Sequence, residues 1–247
     1  MKCPVHNEVY LLENYSTNEG FCPKCGKWYS LPKRRIFKMV KTKQEEFWEG
    51  EFGDEYTSRN VGNWDEFYKR QWGVTRTDLN EEFLAVLKKD ASILEVGCNR
   101  ANQLKILYEQ GYENLWGIEI NKKALQLAKS DRRFNLVEGS GFDIPFKDEF
   151  FDLVFTSGVL IHISPKNLLK IIDEIYRVSK RYIWGFEYFA EECEEIEYRG
   201  HKKRLWKNNF LGLFQERHPD LKVVRQKKIK YLENDNVDMM FLLERFQ

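Results

Sequence analysis

The stretch ILEVGCNRANQL, residues 93–104, decides how the chain reads. It opens as a short apolar run with β-branched Ile93 and Val96, stops at Gly97, and resumes helical spacing from Asn102. A buried strand, a turn and a helix therefore follow one another. Turns that cradle a dinucleotide pyrophosphate keep two or three glycines, so that several backbone N–H groups can face the phosphates at a helix N-terminus. The turn Gly97-Cys98-Asn99-Arg100-Ala101 keeps one.

The same alternation continues outward. NLWGIEI, FNLVEG, FDLVFTSG and RYIWGFEYF read as further strands. NQLKILYEQG, NKKALQLAKS (opened by Asn121) and PKNLLKIIDEIYRVS read as helices, the last with Pro165 near its start. WKNNFLGLFQERHP is expected as a helix stopped by Pro219. LKVVRQKKIKYL and VDMMFLLERF are expected as two strands joined by the turn ENDN. Strands alternating with helices imply an α/β fold, a doubly wound, Rossmann-like, mostly parallel sheet covered on both faces. The last two strands lack a helix between them and predict an antiparallel C-terminal hairpin at the sheet edge. Upstream, residues 79–90 predict a helix capped by Asn80, WDEFYKRQWG another, and residues 45–60 an acidic, aromatic, irregular segment.

Composition narrows the classes. The chain has 247 residues, 32% charged and 15% aromatic, with a formal net charge of +1. That is ample for one large core with a small appended module, and it gives no global field toward nucleic acid or membrane. No apolar run approaches a membrane span, and MKCPVHNEVY lacks the apolar centre of a secretion signal, so a cytoplasmic location is expected.

Three of five cysteines crowd the start. CPVH at 3–6 and CPKCG at 22–26 each place two potential ligands two residues apart. Cys3, His6, Cys22 and Cys25 make a tetrahedral set of three thiolates and one imidazole, which suits a structural Zn²⁺ with no open position. A zinc knuckle or ribbon over residues 1–32 is therefore expected, in which metal supplies most of the folding free energy. A basic linker, 33–45, precedes the main domain, 46–247. Its lysines and arginines read first as a solvated linker and second as an RNA-facing arm.

In doubly wound sheets ligands bind beyond the carboxyl ends of the strands, at the switch point. Gly97 allows close approach there, Asn99 tolerates positive φ, and Ala101 is small enough to pack beneath the helix. Glu119, with Ile120 beside it, ends the second strand where a carboxylate can take both hydroxyls of a ribose. Asp143, with Gly141 and Phe142, follows the third strand and can accept from an adenine amine. Ser157 and Val159 cap the fourth. Glu95 puts negative charge where a pyrophosphate would sit, so a sulfonium amino acid is the better ligand. S-adenosylmethionine matches each of these groups.

With those residues in hand, the chain resembles the class I S-adenosylmethionine-dependent methyltransferases over residues 46–247, through ILEVGCNRANQL, GIEIN, EGSGFDIPF and FDLVFTSGVLIHI. Asn99 and Ala101 replace glycines of the common turn. FWEGEFGDEYTSRN, the G-C-N turn and YRGHKKRLWKNNF resemble, more narrowly, methylases associated with pseudaminic acid biosynthesis. That resemblance implies a nonulosonic-acid-type sugar or a related precursor of bacterial surface glycans as acceptor. The competing acceptor is RNA, docked through the zinc module; the third possibility is a non-enzymatic assembly protein, against which Glu119 and Asp143 speak.

For transfer to a hydroxyl His162 is the candidate base, with Glu187 and His201 as further catalytic candidates, and Tyr188, Tyr198 and Arg199 are the candidates for acceptor binding. Arg199 with His201 would suit a carboxylated sugar. Trp48, Phe52, Tyr56 and Arg59 are expected to close a lid over the cofactor.

Overall fold

The computed structural model describes residues 5, 12–14, 19–22, 24, 27–30 and 41–246. Cys3, His6 and Cys25 lie outside the described residues, as does most of the basic linker. The N-terminal part contributes a small antiparallel sheet, β1 (Leu12–Asn14), β2 (Glu19–Cys22) and β3 (Lys27–Ser30). Cys22 is buried at the end of β2, and Phe21 sets its ring edge-on to Trp116 of the main domain at 6.1 Å.

Residues 45–60 are helical, not irregular. Thr42 opens α1 (Lys43–Glu49) with a capping box, its hydroxyl accepting from the Glu45 N–H while Glu45 accepts from the Thr42 N–H. Gly50 ends this helix in an extended conformation, and α2 (Glu51–Arg59) starts at once. Close approach forces glycine at 53, since a Cβ there would lie 1.8 Å from the Trp48 carbonyl oxygen. The period was masked in the sequence because two short helices change direction at Gly50.

Next come α3 (Trp64–Trp72), capped by Asn63, and α4 (Arg76–Leu84), capped by Thr75 with a second capping box to Asp78. Asn80 is therefore no cap. It sits inside α4, buried, bonding Arg76 and Gln110. The main sheet then runs β4 (Ile93–Val96), α5 (Asn102–Glu109), β5 (Leu115–Glu119), α6 (Lys122–Ala128), β6 (Asn135–Glu138), β7 (Phe151–Ser157), α7 (Pro165–Val178) and β8 (Ser179–Tyr188). A hairpin of β9 (Glu194–Tyr198) and β10 (His201–Lys207) follows, then α8 (Phe210–Arg217) and the strands β11 (Leu221–Lys230) and β12 (Val237–Arg245). Sequence reading missed the β9–β10 hairpin and assigned its end to the helix. Exposure on both faces of β9 hides the alternation that marks a half-buried strand.

The seven-stranded sheet has the order β11-β12-β8-β7-β4-β5-β6, with β12 antiparallel to both its neighbours and the other pairs parallel. The expected hairpin is present, with β12 inserted between β8 and β11. Alternate residues of each strand serve opposite faces. Leu94, Trp116 and Val154 pack toward α7 and α8, whereas Ile93, Leu115 and Leu153 pack toward α3–α6. From β4 the chain runs outward in one direction to β5 and β6, and then in the other to β7 and β8. The switch point therefore lies between the carboxyl ends of β4 and β7, where the architecture leaves a crevice. No helix among the described residues is long and apolar enough to cross a membrane.

Candidate functional site

A cavity of about 480 Å³ fills that crevice and continues toward β8 and β12. Its floor is the turn after β4. Gly97 has φ +74°, and a Cβ on it would come within 2.8 Å of Val159. Both conformation and space demand glycine here. Asn99 and Ala101 also occupy left-handed backbone, at φ 44° and 59°. Ala101 is fully buried as the N-cap of α5 and offers no side-chain cap, so the first turn of α5, with Asn102 and Gln103, faces the cavity. Asn99 takes the place of a glycine and does more. Its N–H donates to Glu119 Oε2 at 2.7 Å, and its side-chain amide donates to Thr57 of α2 at 3.0 Å.

Glu119 ends β5, buried, with Oε1 accepting from the Asn121 N–H at 2.8 Å. Each carboxylate oxygen thus keeps a second lone pair toward the cavity. Burial raises its pKa, and the N–H groups of Asn121, Asn99 and Ile120 draw it back. Glu95 is buried with no hydrogen-bond partner for Oε2. Burial pushes its pKa well up, Arg76 opposes that shift and Glu119 adds to it.

Arg76 is a residue sequence reading passed over. Fully buried, it stacks over Trp184 at 4.4 Å, donates to Asn80 Oδ1, the Tyr68 hydroxyl and Ser157 Oγ, and leaves Nη2 without a partner. A surface helix position in a polar stretch gave no hint of such burial.

The third loop corrects one expectation. Asp143 is exposed and lies off the cavity wall; Ser140, Gly141 and Phe142 line it. A tight turn, closed by Asp143 N–H to the Ser140 carbonyl, carries the Asp143 side chain outward. A carboxylate nevertheless reaches this corner from another element, because Ser140 Oγ donates to Glu45 Oε1 of α1 at 2.5 Å. Residues 95 apart in sequence carry no shared local signal, so Glu45 was not legible.

On the other side of the switch point, Ser157, Val159 and His162 line the cavity as expected. Glu187 at the end of β8 accepts the N–H of Val159 at 3.1 Å and that of Ile161 at 3.3 Å, so its carboxylate braces the loop that carries His162. Burial lifts its pKa to about 7 against those bonds. His162 Nδ1 lies 2.8 Å from the Arg204 carbonyl oxygen. A carbonyl only accepts, so Nδ1 carries the proton and Nε2 holds the lone pair. Burial depresses the imidazole to about 4, the Arg204 bond opposing, and the ring stays neutral at ordinary pH.

Tyr198 packs on His162 at 5.1 Å, and Arg199 stands in the left-handed Arg199-Gly200 turn of the β9–β10 hairpin; both line the cavity, as does Tyr188. His201 does not. Its ring packs outside the wall against Phe47 and Phe52, at 5.1 and 5.3 Å, although its register partner Tyr198 lines the cavity.

Helices α1 and α2 cover the crevice. Trp48 lies 4.5 Å from His162 and 5.2 Å from Tyr56, and Phe52 meets Tyr198 of the hairpin at 5.7 Å. Trp48 and Tyr56 line the cavity, whereas Arg59 lies over the outer faces of Phe52 and Tyr56 and pairs with Glu55, away from the cavity. The cover is fastened by Asn121. Its Oδ1 caps α6 by accepting the Ala124 N–H, while Nδ2 donates to the Trp48 carbonyl at 3.1 Å and to Asp54 Oδ1 at 2.9 Å. Its capping role was legible in sequence; its second set of bonds was not.

Residues 94–182 match a family model described as Methyltransferase domain. A putative methyltransferase of Encephalitozoon cuniculi is 27% identical over 124 residues, 47% of this chain and 54% of that protein. The tRNA N(3)-methylcytidine methyltransferase Mettl2 of Drosophila melanogaster is 27% identical over 137 residues, 46% of this chain and 42% of that protein. The chain thus spans about half the length of the relatives it matches. Among solved structures, the Burkholderia thailandensis 1,6-didemethyltoxoflavin-N1-methyltransferase, determined with bound 1,6-didemethyltoxoflavin and S-adenosylhomocysteine, superposes with a TM-score of 0.62 at 12% identity, covering 93% of this chain and 96% of that one. Residues 94–182 are thus similar to a methyltransferase domain. The structural likeness, at that identity, speaks for the fold.

Proposed function

We propose that this protein is an S-adenosylmethionine-dependent methyltransferase acting on a small-molecule acceptor. The observation that carries the reading is the pair of buried carboxylates set around a left-handed, glycine-poor turn. Glu119 keeps lone pairs for a ribose diol, and the unpartnered Glu95 Oε2 offers a counter-charge to an ammonium group. Glu45 and Ser140 stand where an adenine edge would lie. These donors and acceptors fit S-adenosylmethionine, which supplies a methyl group activated by a sulfonium for in-line transfer. The protein's part is alignment and exclusion of water: α1 and α2 close the crevice, and Glu187 fixes the loop that presents His162. His162, neutral and with its lone pair on Nε2, is placed to take a proton from an acceptor hydroxyl.

The acceptor is assigned more narrowly by the resemblance to pseudaminic-acid-associated methylases, which points to a nonulosonic-type sugar. Arg199 at the cavity wall supports it as a partner for a carboxylate; His201 does not take part. A cavity of about 480 Å³ roofed by α1 and α2 favours such a small molecule over a polynucleotide, although one relative is named for action on tRNA. A structural zinc at Cys3, His6, Cys22 and Cys25 in a module over residues 1–32 belongs to the same proposal, and one equivalent of zinc by metal analysis of the purified chain is its test.

Calorimetry with S-adenosylhomocysteine and S-adenosylmethionine tests the enzyme reading. Binding at micromolar concentration, lost in Glu119→Ala, is expected. Absence of heat at millimolar cofactor refutes it.

A further inference from the structure

Beyond His162 the cavity ends against β8 and β12, on the side of the sheet away from the β5 and β6 corner assigned above to ribose and adenine. Here stands Asp238, the second residue of β12, paired in register with Tyr188 of β8. It lines the cavity at 2% exposure, and its Oδ2 makes no hydrogen bond of normal geometry, although the Tyr231 hydroxyl and the Trp72 indole N–H bear on the carboxyl. Among the described residues, Lys207 is the cation whose charge reaches it, but that ammonium bonds Asn236 Oδ1 at 2.6 Å instead.

Rings surround this carboxyl. Tyr231 lies 5.6 Å from Tyr188 and 5.1 Å from Trp72, and Trp72 lies 5.4 Å from Phe186. All four line the same cavity. A carboxylate removed from water without a cation is strongly disfavoured. Aromatic faces attract positive charge through their quadrupoles, most strongly where water is excluded. A carboxyl and several aromatic rings gathered at one cavity end are therefore complementary to one kind of group, a cation.

We propose that the acceptor carries a protonated amine, held between Asp238 and the rings of Trp72, Phe186, Tyr188 and Tyr231. This rests on the methyltransferase reading and deepens it: the amine anchors the acceptor, and the atom to be methylated lies elsewhere on it. Burial pushes the Asp238 carboxyl up to about 8; hydrogen bonding from Tyr231 and Trp72 pulls it back, Glu187 adds like charge and Lys207 opposes it. Near pH 7 the free site is held mostly neutral, and an incoming ammonium ionises it, sending one proton to the buffer. A carboxyl that only braced Tyr231 and Trp72 would release none.

The test is calorimetry on the full chain saturated with S-adenosylhomocysteine, using 2-phenylethylamine, 2-phenylethanol and 3-phenylpropionate as probes. The amine is expected to bind at least about tenfold more tightly than either of the others. Its heat should vary with the buffer's ionisation enthalpy, as proton release requires. In Asp238→Asn the preference and the buffer dependence should both vanish, with S-adenosylhomocysteine binding reporting that the variant is folded. Equal binding of alcohol and amine, preferred binding of the carboxylate, or no binding of any probe overturns the inference, as does a preference that survives Asp238→Asn. Failure of S-adenosylhomocysteine to bind the unaltered chain sinks the methyltransferase reading itself, so the two failures are distinct.

Discussion

Replacing Asn99 separates the two tasks that this residue performs. Its backbone, at φ 44°, aims the N–H at Glu119 Oε2, and its amide holds Thr57 of the cover. Asn99→Gly keeps the first and removes the second. Glycine accepts the left-handed conformation without strain, offsetting the roughly 0.5–1 kcal/mol of backbone freedom it adds to the unfolded chain. Thr57 is fully buried, and losing its partner costs about 1–2 kcal/mol. That cost falls on the cover, because α1 and α2 contribute Trp48 and Tyr56 to the cavity wall. About 1 kcal/mol corresponds to roughly a fivefold loss in cofactor affinity.

Asn99→Val removes both functions, and a β-branched side chain in left-handed backbone adds strain of about 1–3 kcal/mol. Its affinity should fall by at least about tenfold more, with a lower Tm. The assay is titration calorimetry with S-adenosylhomocysteine beside thermal unfolding. If Asn99→Gly binds like the unaltered chain, the tether to Thr57 does not hold the cover. If Asn99→Val does so, the left-handed turn is not needed for the Glu119 site, and the reasoning fails at its centre.

Three further outcomes follow from the same geometry. Asp143→Ala should leave S-adenosylhomocysteine affinity within about twofold, while Ser140→Ala or Glu45→Ala lowers it several-fold, since Ser140 and Glu45 line the cavity; the reverse ranking in calorimetry restores Asp143. Asn121→Ala removes a helix cap and two ties to the cover, about 2–3 kcal/mol together, and should speed proteolysis within residues 43–59; unchanged cleavage refutes the fastening role. His162 titrates near 4 folded against 6.5 unfolded, so its neutral burial supports the fold fully above pH 6.5, and that support fades as pH falls toward 4. Urea unfolding at pH 5 and pH 7.5 should show a smaller acid loss in His162→Ala than in the unaltered chain, and the variant should slow methylation of a hydroxyl steeply; an unchanged rate makes His162 a packing residue.

The sequence by itself determined the sheet, its strand-and-helix alternation and the place of the crevice. Each depends on local periodicity and on residues such as Gly97, Asn121 and Pro165, whose preferences are set by their own backbone. It also marked Glu95, Glu119 and Asn99, because strand ends in such a fold have a known address. Tertiary structure decided what distant elements bring to that address. It turned Asp143 outward and delivered Glu45 from α1 instead, placed His201 behind Phe47 and Phe52, and seated Arg76 beneath the cavity and Asp238 at its far end. The physical reason is that a side chain's direction in a loop or hairpin depends on turn geometry and on what it packs against. Burial of a charge, in turn, depends on neighbours tens of residues away, and neither leaves a periodic trace in the chain.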